Sequence, residues 1–395
     1  MVSGASASRQ QTGEKSRNRA GCHPVSRYAR PMMTICLSHT TALEVLRCWN
    51  APRLLERGRR RESLPAPERM PDPSWAAATL ARLEPLSAVS TPHHVIVSGE
   101  TARHRSELLV AHQARRRYPP GSFFSLAPDV LCATPELVAL QMAEYASDLE
   151  LLLLVDELCG HYGIQPRAAK GLVRRRDPIT SVDGIIAYLD LMGPCRGGSK
   201  LRRALARARE RSGSPRESKT VHRLEFSPRL GGYGLEVVGL NDPVLVERAG
   251  AALGEAQERI RKPDIMLLAP ADAPLGSIPF RGCALDYQGE YHRDEAQKEK
   301  DTNRRNELLA CGIKPYEIEK DHYDDPGYLD WLVSRIRRDL GIEEPSLGER
   351  AREARRARRE RLRLELDRAD GLTWTGRAEP LLMEGSRALA RGTES

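Results

Sequence analysis

Apolar positions near the front of the chain switch between helical and extended spacing. From Ser38 to Leu46 they fall at helical intervals behind a serine suited to an N-cap, which predicts a helix opening Ser38-His39-Thr40-Thr41-Ala42. Pro and Arg dominate residues 52–74 and break that pattern. His94-Val95-Ile96-Val97-Ser98 has the length and β-branched content of a strand, and residues 121–131 predict paired short strands around Phe123, Phe124 and Val130. Thr134-Pro135-Glu136 combines an N-cap threonine, a proline at the first helical position and an early carboxylate. It opens one or two helices over residues 137–158, closed near Gly160, with further helices expected at 182–192 and 199–211. Residues 33–211 therefore read as an α+β domain.

Beyond Gly213 the pattern shifts to single strands between helices. Ser214-Pro215-Arg216-Glu217 opens a helix that ends before Gly231-Gly232-Tyr233-Gly234, read as a flexible connection. An extended piece follows near residues 244–246. Residues 263–268 and 283–287 are apolar runs of strand length, each interrupted by one acid, Asp264 and Asp286. Residues 295–310 predict a helix ending at Gly312, and residues 313–318 a strand that Pro315 makes short or places on an edge. Asp325-Pro326 starts a last helix through Leu340, stopped by Gly341. The order helix, three strands, helix, strand, helix gives residues 213–341 an α/β domain with a mixed sheet flanked by helices.

The length of 395 residues leaves room for both domains and for tails. Aromatic residues make up only 5%, so the cores must be built from Leu, Val, Ile and Ala. The longest aliphatic run, Leu151 to Val155, lies between Glu150 and Asp156 and falls far short of the about 20 apolar residues that a membrane span needs. No membrane partner is expected. Residues 1–31 lack an apolar block and are expected to be a disordered tail, with Met32-Met33 opening the ordered chain. Residues 345–395 read as a charged, Arg-rich helix and tail. Leu362, Leu364 and Leu366 have the wrong spacing for one strong helical stripe, so a solvated helix is expected there.

A formal net charge of +8 suits a nucleic-acid partner, although much of it sits in the tails. Eight cysteines are scattered singly, without metal-knuckle spacing, as expected of reduced thiols in a cytoplasm. His39, His93, His94 and His112 show no paired ligand spacing with a carboxylate and read as surface or capping groups.

Lys262-Pro263-Asp264 and Asp286-Tyr287-Gln288-Gly289-Glu290-Tyr291-His292, with the order of elements around them, resemble the PD-(D/E)XK nuclease superfamily. More narrowly, the segment is similar to a family of unknown function related to very-short-patch-repair endonucleases. That family commonly reads Glu-Tyr-Asp-Gly, two variable residues and His, then a helix that Asp301, Arg304, Arg305, Asn306 and Leu308 fit here. The resemblance covers about a third of the chain and implies a restriction-endonuclease-like fold acting on DNA in defence, repair or mobile-element control. Asp286 and Gln288 stand where the repair-related family has Glu and Asp, so the site departs from its pattern and a degenerate active site is one expectation. More weakly, residues 33–211 resemble abortive-infection antitoxin regulators through Ser38 to Ala42, the strand at His94 and the Thr134-Pro135-Glu136 start. That resemblance implies a non-catalytic transcriptional regulator with a protein toxin partner.

Phosphodiester cleavage needs an in-line hydroxide and neutralised charge, both of which a divalent metal supplies. Magnesium is the metal implied, since it takes oxygen ligands and keeps several waters. Asp264 and Asp286 are the expected metal ligands, with Glu217 as a further ligand or water-orienting group. Gln288, on the strand face of Asp286, stands where the superfamily usually places lysine and can position a water. The resemblance makes His292 a phosphate contact or proton carrier, and Arg304, Arg305 and Lys314 the expected contacts to nucleic-acid phosphates.

Overall fold

The computed structural model describes residues 34–59, 67–83, 89–99, 106–114, 117–166, 168, 171–248, 257–271, 279–288 and 295–369. The expected tail at 1–31 and the end of the chain past 369 lie outside the described residues. The chain has mixed α and β content, built around two mixed sheets.

The front sheet contains β1 (Ile35–Leu37), β2 (His93–Val97), β3 (Leu109–Gln113), β4 (Phe123–Ala127) and β5 (Val130–Ala133), in the order β3-β2-β1-β5-β4. β1 pairs parallel with β5 and antiparallel with β2, while β3 joins β2 in parallel and β4 joins β5 antiparallel. Helices α1 (His39–Leu46), α2 (Ala51–Gly58) and α3 (Pro73–Leu80) come from the first part of this region. α2 occupies the start of the Pro- and Arg-rich stretch expected to break the helical pattern, and α3 begins at its end. Pro52 and Pro73 sit in the first helical turn, where the missing N–H costs nothing, and Asp72 caps α3 by accepting from the Trp75 N–H at 2.8 Å.

The expected run at 137–158 is two helices, α4 (Pro135–Met142) and α5 (Asp148–Leu158), divided by a Ser147–Glu150 capping box. A short ribbon of β6 (Tyr162–Ile164) and β7 (Leu172–Arg174) follows, then α6 (Val182–Met192) and α7 (Gly198–Leu205). Leu43, Leu137, Leu151 and Val155 from the helices share one core with Ile35, Val95, Phe124 and Leu131 from the sheet.

The second half begins with α8 (Pro215–Glu225), capped by Ser214, which accepts from the Glu217 N–H at 3.2 Å. Next come β8 (Gly239–Leu240), β9 (Val244–Glu247), β10 (Glu258–Arg261), β11 (Ile265–Leu268) and β12 (Gly282–Gln288). The chain continues through α9 (Glu295–Ala310), β13 (Ile313–Glu319), α10 (Lys320–Asp324), α11 (Pro326–Asp339) and α12 (Glu349–Arg368). The second sheet has the order β13-β12-β11-β8, so β13 with its Pro315 is an edge strand, as its sequence predicts. The piece near 244–246 is not in that sheet. It pairs with β10 as a separate antiparallel ribbon, and the short β8 takes the edge beside β11.

Alternation splits the apolar residues of this sheet between two faces. Ile265, Leu267, Cys283 and Leu285 pack with Val221 and Leu224 of α8 and Leu332, Val333 and Ile336 of α11. Met266 and Ala284 pack instead with Val246 of the ribbon and Leu308 of α9. The glycine segment at 231–234 is a tight, packed turn. Gly231 has φ +93°, and a Cβ on Gly232 would lie 1.9 Å from the Phe226 carbonyl oxygen, so no larger residue fits there.

α12 is helical as expected, but its apolar face is docked. Leu362 and Leu366, four residues apart, are buried with Leu152 and Leu153 of α5 and with Phe226. The seven described cysteines are free, and among the described residues no helix is long and apolar enough to cross a membrane.

Candidate functional site

Asp264 ends the turn before β11, and Asp286 lies within β12. One step beyond the Ile265–Leu285 pair, the antiparallel register sets the two acids opposite each other. Each carboxylate braces the other strand's backbone. The Asp264 N–H donates to Asp286 Oδ1 at 3.1 Å, and the Tyr287 N–H donates to Asp264 Oδ2 at 2.7 Å. Met266 and Ala284, each two residues away along its strand, belong to the core under α9, so both acids are on the α9 side. There Arg304 closes the group: its Nη2 donates to Asp286 Oδ1 at 2.6 Å and to the Lys262 carbonyl oxygen at 3.1 Å.

Glu217 stands in the first turn of α8 with both oxygens engaged. Oε1 accepts from Ser214 Oγ at 3.0 Å, while Oε2 accepts from the Gly213 N–H at 2.7 Å and Asn241 Nδ2 at 2.9 Å. A residue expected as a ligand or water-orienting group is here a helix-capping group. Asn241 was not anticipated from the sequence. It adopts φ +53°, a backbone conformation that asparagine tolerates better than most residues, and the available signal was the turn-forming Asn241-Asp242-Pro243.

Burial dominates the electrostatics. It pushes Asp264 up to about 7, with repulsion from Glu217 and Asp286 adding to it and the Tyr287 N–H and Arg304 opposing it. Burial also raises Asp286, against the opposing pull of Arg304 and the Asp264 N–H. Glu217 is raised by burial and restrained by its Gly213, Asn241 and Ser214 partners.

Asp286 opens into a cleft of about 260 Å³ whose lining includes Arg304, Arg305, Lys314, Tyr328 and Trp331. The three expected phosphate contacts thus border one cleft, in different states. Arg304 is bound to Asp286. Lys314 is paired with Asp339 at 2.8 Å and lies over the Phe280 and Tyr316 rings. Arg305 is exposed and makes no ion pair or side-chain hydrogen bond among the described residues. Gln288 ends β12, and His292 lies outside the described residues.

Among the described residues, no group of three or more His, Cys, Asp or Glu side chains is placed to hold a metal ion. Asp264 Oδ1 and Asp286 Oδ2 accept no hydrogen bond from the described residues. That pair suits magnesium, which binds through one or two carboxylates when water and substrate phosphate complete its shell. Glu217, whose charge adds to the rise in Asp264, is near that pair but is engaged by Gly213, Ser214 and Asn241.

A second cluster lies in the front sheet, at histidines expected as surface or capping groups. His39, His93 and His94 are buried. His94 Nδ1 is 2.9 Å from His112 Nε2, and the His39 ring stacks on His112 at 3.6 Å between centroids. Tyr145 meets both His39 and His112 edge-on. β2 and β3 are parallel neighbours, which brings His94 and His112 together; spacing along the chain carries no sign of that pairing. Burial holds His39 well below its ordinary range and pushes His112 down to about 3, with mutual repulsion among the rings adding to both.

No protein-family model matches the chain, and comparison with curated proteins and with solved structures found no match either.

Proposed function

We propose that the second half of the chain is a restriction-endonuclease-like domain that engages DNA as a metal-dependent endonuclease-like protein, in defence, repair or mobile-element control. The observation that carries this reading is the opposed, buried Asp264–Asp286 pair beside a cleft bordered by Arg304 and Arg305. Magnesium held by Asp264 and Asp286 would supply positive charge to the phosphate and acidify a bound water. Arg304 brings a fixed cation to the carboxylates where the superfamily usually relies on lysine. Arg305, free of protein partners among the described residues, is the side chain best placed for a backbone phosphate. Gln288 and His292 stay in the proposal on the sequence resemblance alone.

One arrangement favours a second reading, a DNA-binding regulator of the antitoxin type without catalysis. Arg304 occupies Asp286, and the capping bonds of Glu217 withhold a third carboxylate. A nuclease assay separates the two. Supercoiled and nicked DNA are incubated with magnesium or manganese and the full chain, or with Asp264→Ala. The catalytic reading expects metal-dependent nicking that the variant loses. Equal outcomes from both proteins would overturn it and leave the binding role.

A further inference from the structure

A larger cleft of about 780 Å³ lies between α11 and α12, and Trp331 borders both it and the cleft at Asp286. Arg352, Arg355, Arg356 and Arg359 line the larger cleft from α12. Their spacing of three, four and seven residues puts all of them on one helical face. With Arg337 of α11, five arginines face two acids, Asp330 and Glu344, an excess of three positive charges. Asp330 is shared by Arg356 and Arg359, at 3.4 and 2.5 Å. Arg352 and Arg355 make no ion pair or side-chain hydrogen bond among the described residues. Crowding is felt within the cleft: the pKa of Arg337 is lowered, first by burial, then by Arg359 and Arg355.

The wall between the clefts is aromatic. Trp331 is 49% exposed, a large apolar surface left in water. Tyr328 lies 5.5 Å from it, His322 stacks on Tyr328 at 3.8 Å, and Arg335 covers the indole at 5.7 Å. An exposed ring between unpaired guanidiniums suits a strand whose bases offer π-faces and whose phosphates need neutralising. Paired bases keep those faces inside the duplex, so the ring matches an unpaired strand.

We propose that these two clefts form one track for single-stranded DNA, with a base stacked on Trp331 and the flanking phosphates held by Arg352 and Arg355 on one side and Arg305 on the other. The track rests on the DNA-directed reading of the site but not on catalysis. It would hold an unpaired strand leading to or from the Asp264–Asp286 pair.

The test is fluorescence anisotropy of a labelled oligo(dT) of about 12 nucleotides, within the size range of single-strand sites, against the full chain, with a duplex of equal length as comparison. The parent should bind the single strand more tightly than the duplex. Trp331→Ala should weaken single-strand binding by roughly tenfold. Replacing Arg352 and Arg355 together by Gln should reduce the slope of log affinity against log salt by about 1.4. Both variants carry surface changes, and their thermal midpoints confirm folding. Unchanged binding in both track variants, or tighter binding of the duplex, would overturn the track while leaving the nuclease assay to judge the acidic site. Metal-dependent cleavage with no single-strand binding would overturn the track alone.

Discussion

Burial and the neighbouring Glu217 and Asp286 keep Asp264 protonated up to about pH 7, whereas an ordinary aspartate releases its proton near 3.8. Between those values the folded chain holds a proton that the unfolded chain has lost, so stability falls as pH rises through that window. Asp264→Asn cannot ionise, yet keeps an oxygen to accept the Tyr287 N–H bond. We expect parent and variant to converge in thermal midpoint as pH falls toward 3.8, and the variant to melt higher above pH 7. A variant that melts lower than the parent at alkaline pH would show that the ionised carboxylate is held favourably. Buried His39 and His93 and half-buried His112 act in the opposite direction, because their lowered pKa values make stability fall as pH drops below 6.5. They are present in both proteins and cancel in the difference. At this scale the sequence exposed the strand acids, since a single carboxylate interrupting an apolar run stands out. It hid Asn241 and the Arg304–Asp286 bond, which depend on a turn conformation and on helix placement.

Apolar periodicity locates most elements, and it fails where partners rather than pattern decide burial. α8 shows this most clearly. Of its buried residues only Val221 and Leu224 are apolar, while Lys219, His222 and Arg223 are buried with partners far along the chain. Lys219 reaches Asp367 at 2.8 Å, and Arg223 reaches the Tyr323 carbonyl oxygen at 2.7 Å. α12 fails in the other direction. Its three leucines look too irregular for a stripe, but Leu362 and Leu366 form a two-residue seam that α5 and Phe226 cover. Leu364 stays 41% exposed. Leu366→Ala should therefore cost about 2–5 kcal/mol in urea denaturation, and Leu364→Ala within about 0.5 kcal/mol. Equal small effects would mean that the seam contributes nothing and that α12 is a solvated helix after all.

Across the whole molecule, α8 packs against both halves, as does the α12 seam that covers α5. His222 Nε2 lies 2.6 Å from Asp156 Oδ2 of α5, with both side chains fully buried, and Ser218 Oγ is 3.2 Å from the Tyr162 hydroxyl of the β6–β7 ribbon. The same helix contributes Val221 and Leu224 to the core of the second sheet. Melting either half would strip α8 of one set of partners and leave buried polar groups unpaired, a cost of about 3–5 kcal/mol for a pair such as His222–Asp156. The halves should therefore unfold together, although the sequence reads as two domains each with its own core. Tryptophan reports on this directly, because Trp75 lies on α3 in the front half and Trp331 on α11 in the second. Variants retaining only Trp75 or only Trp331 should give coincident thermal transitions by fluorescence, matching one calorimetric peak. His222→Ala should shift both transitions downward by removing the partner of Asp156. If the Trp75 and Trp331 transitions separate in the parent background, the two halves are independent folding units and α8 is a passive linker between them.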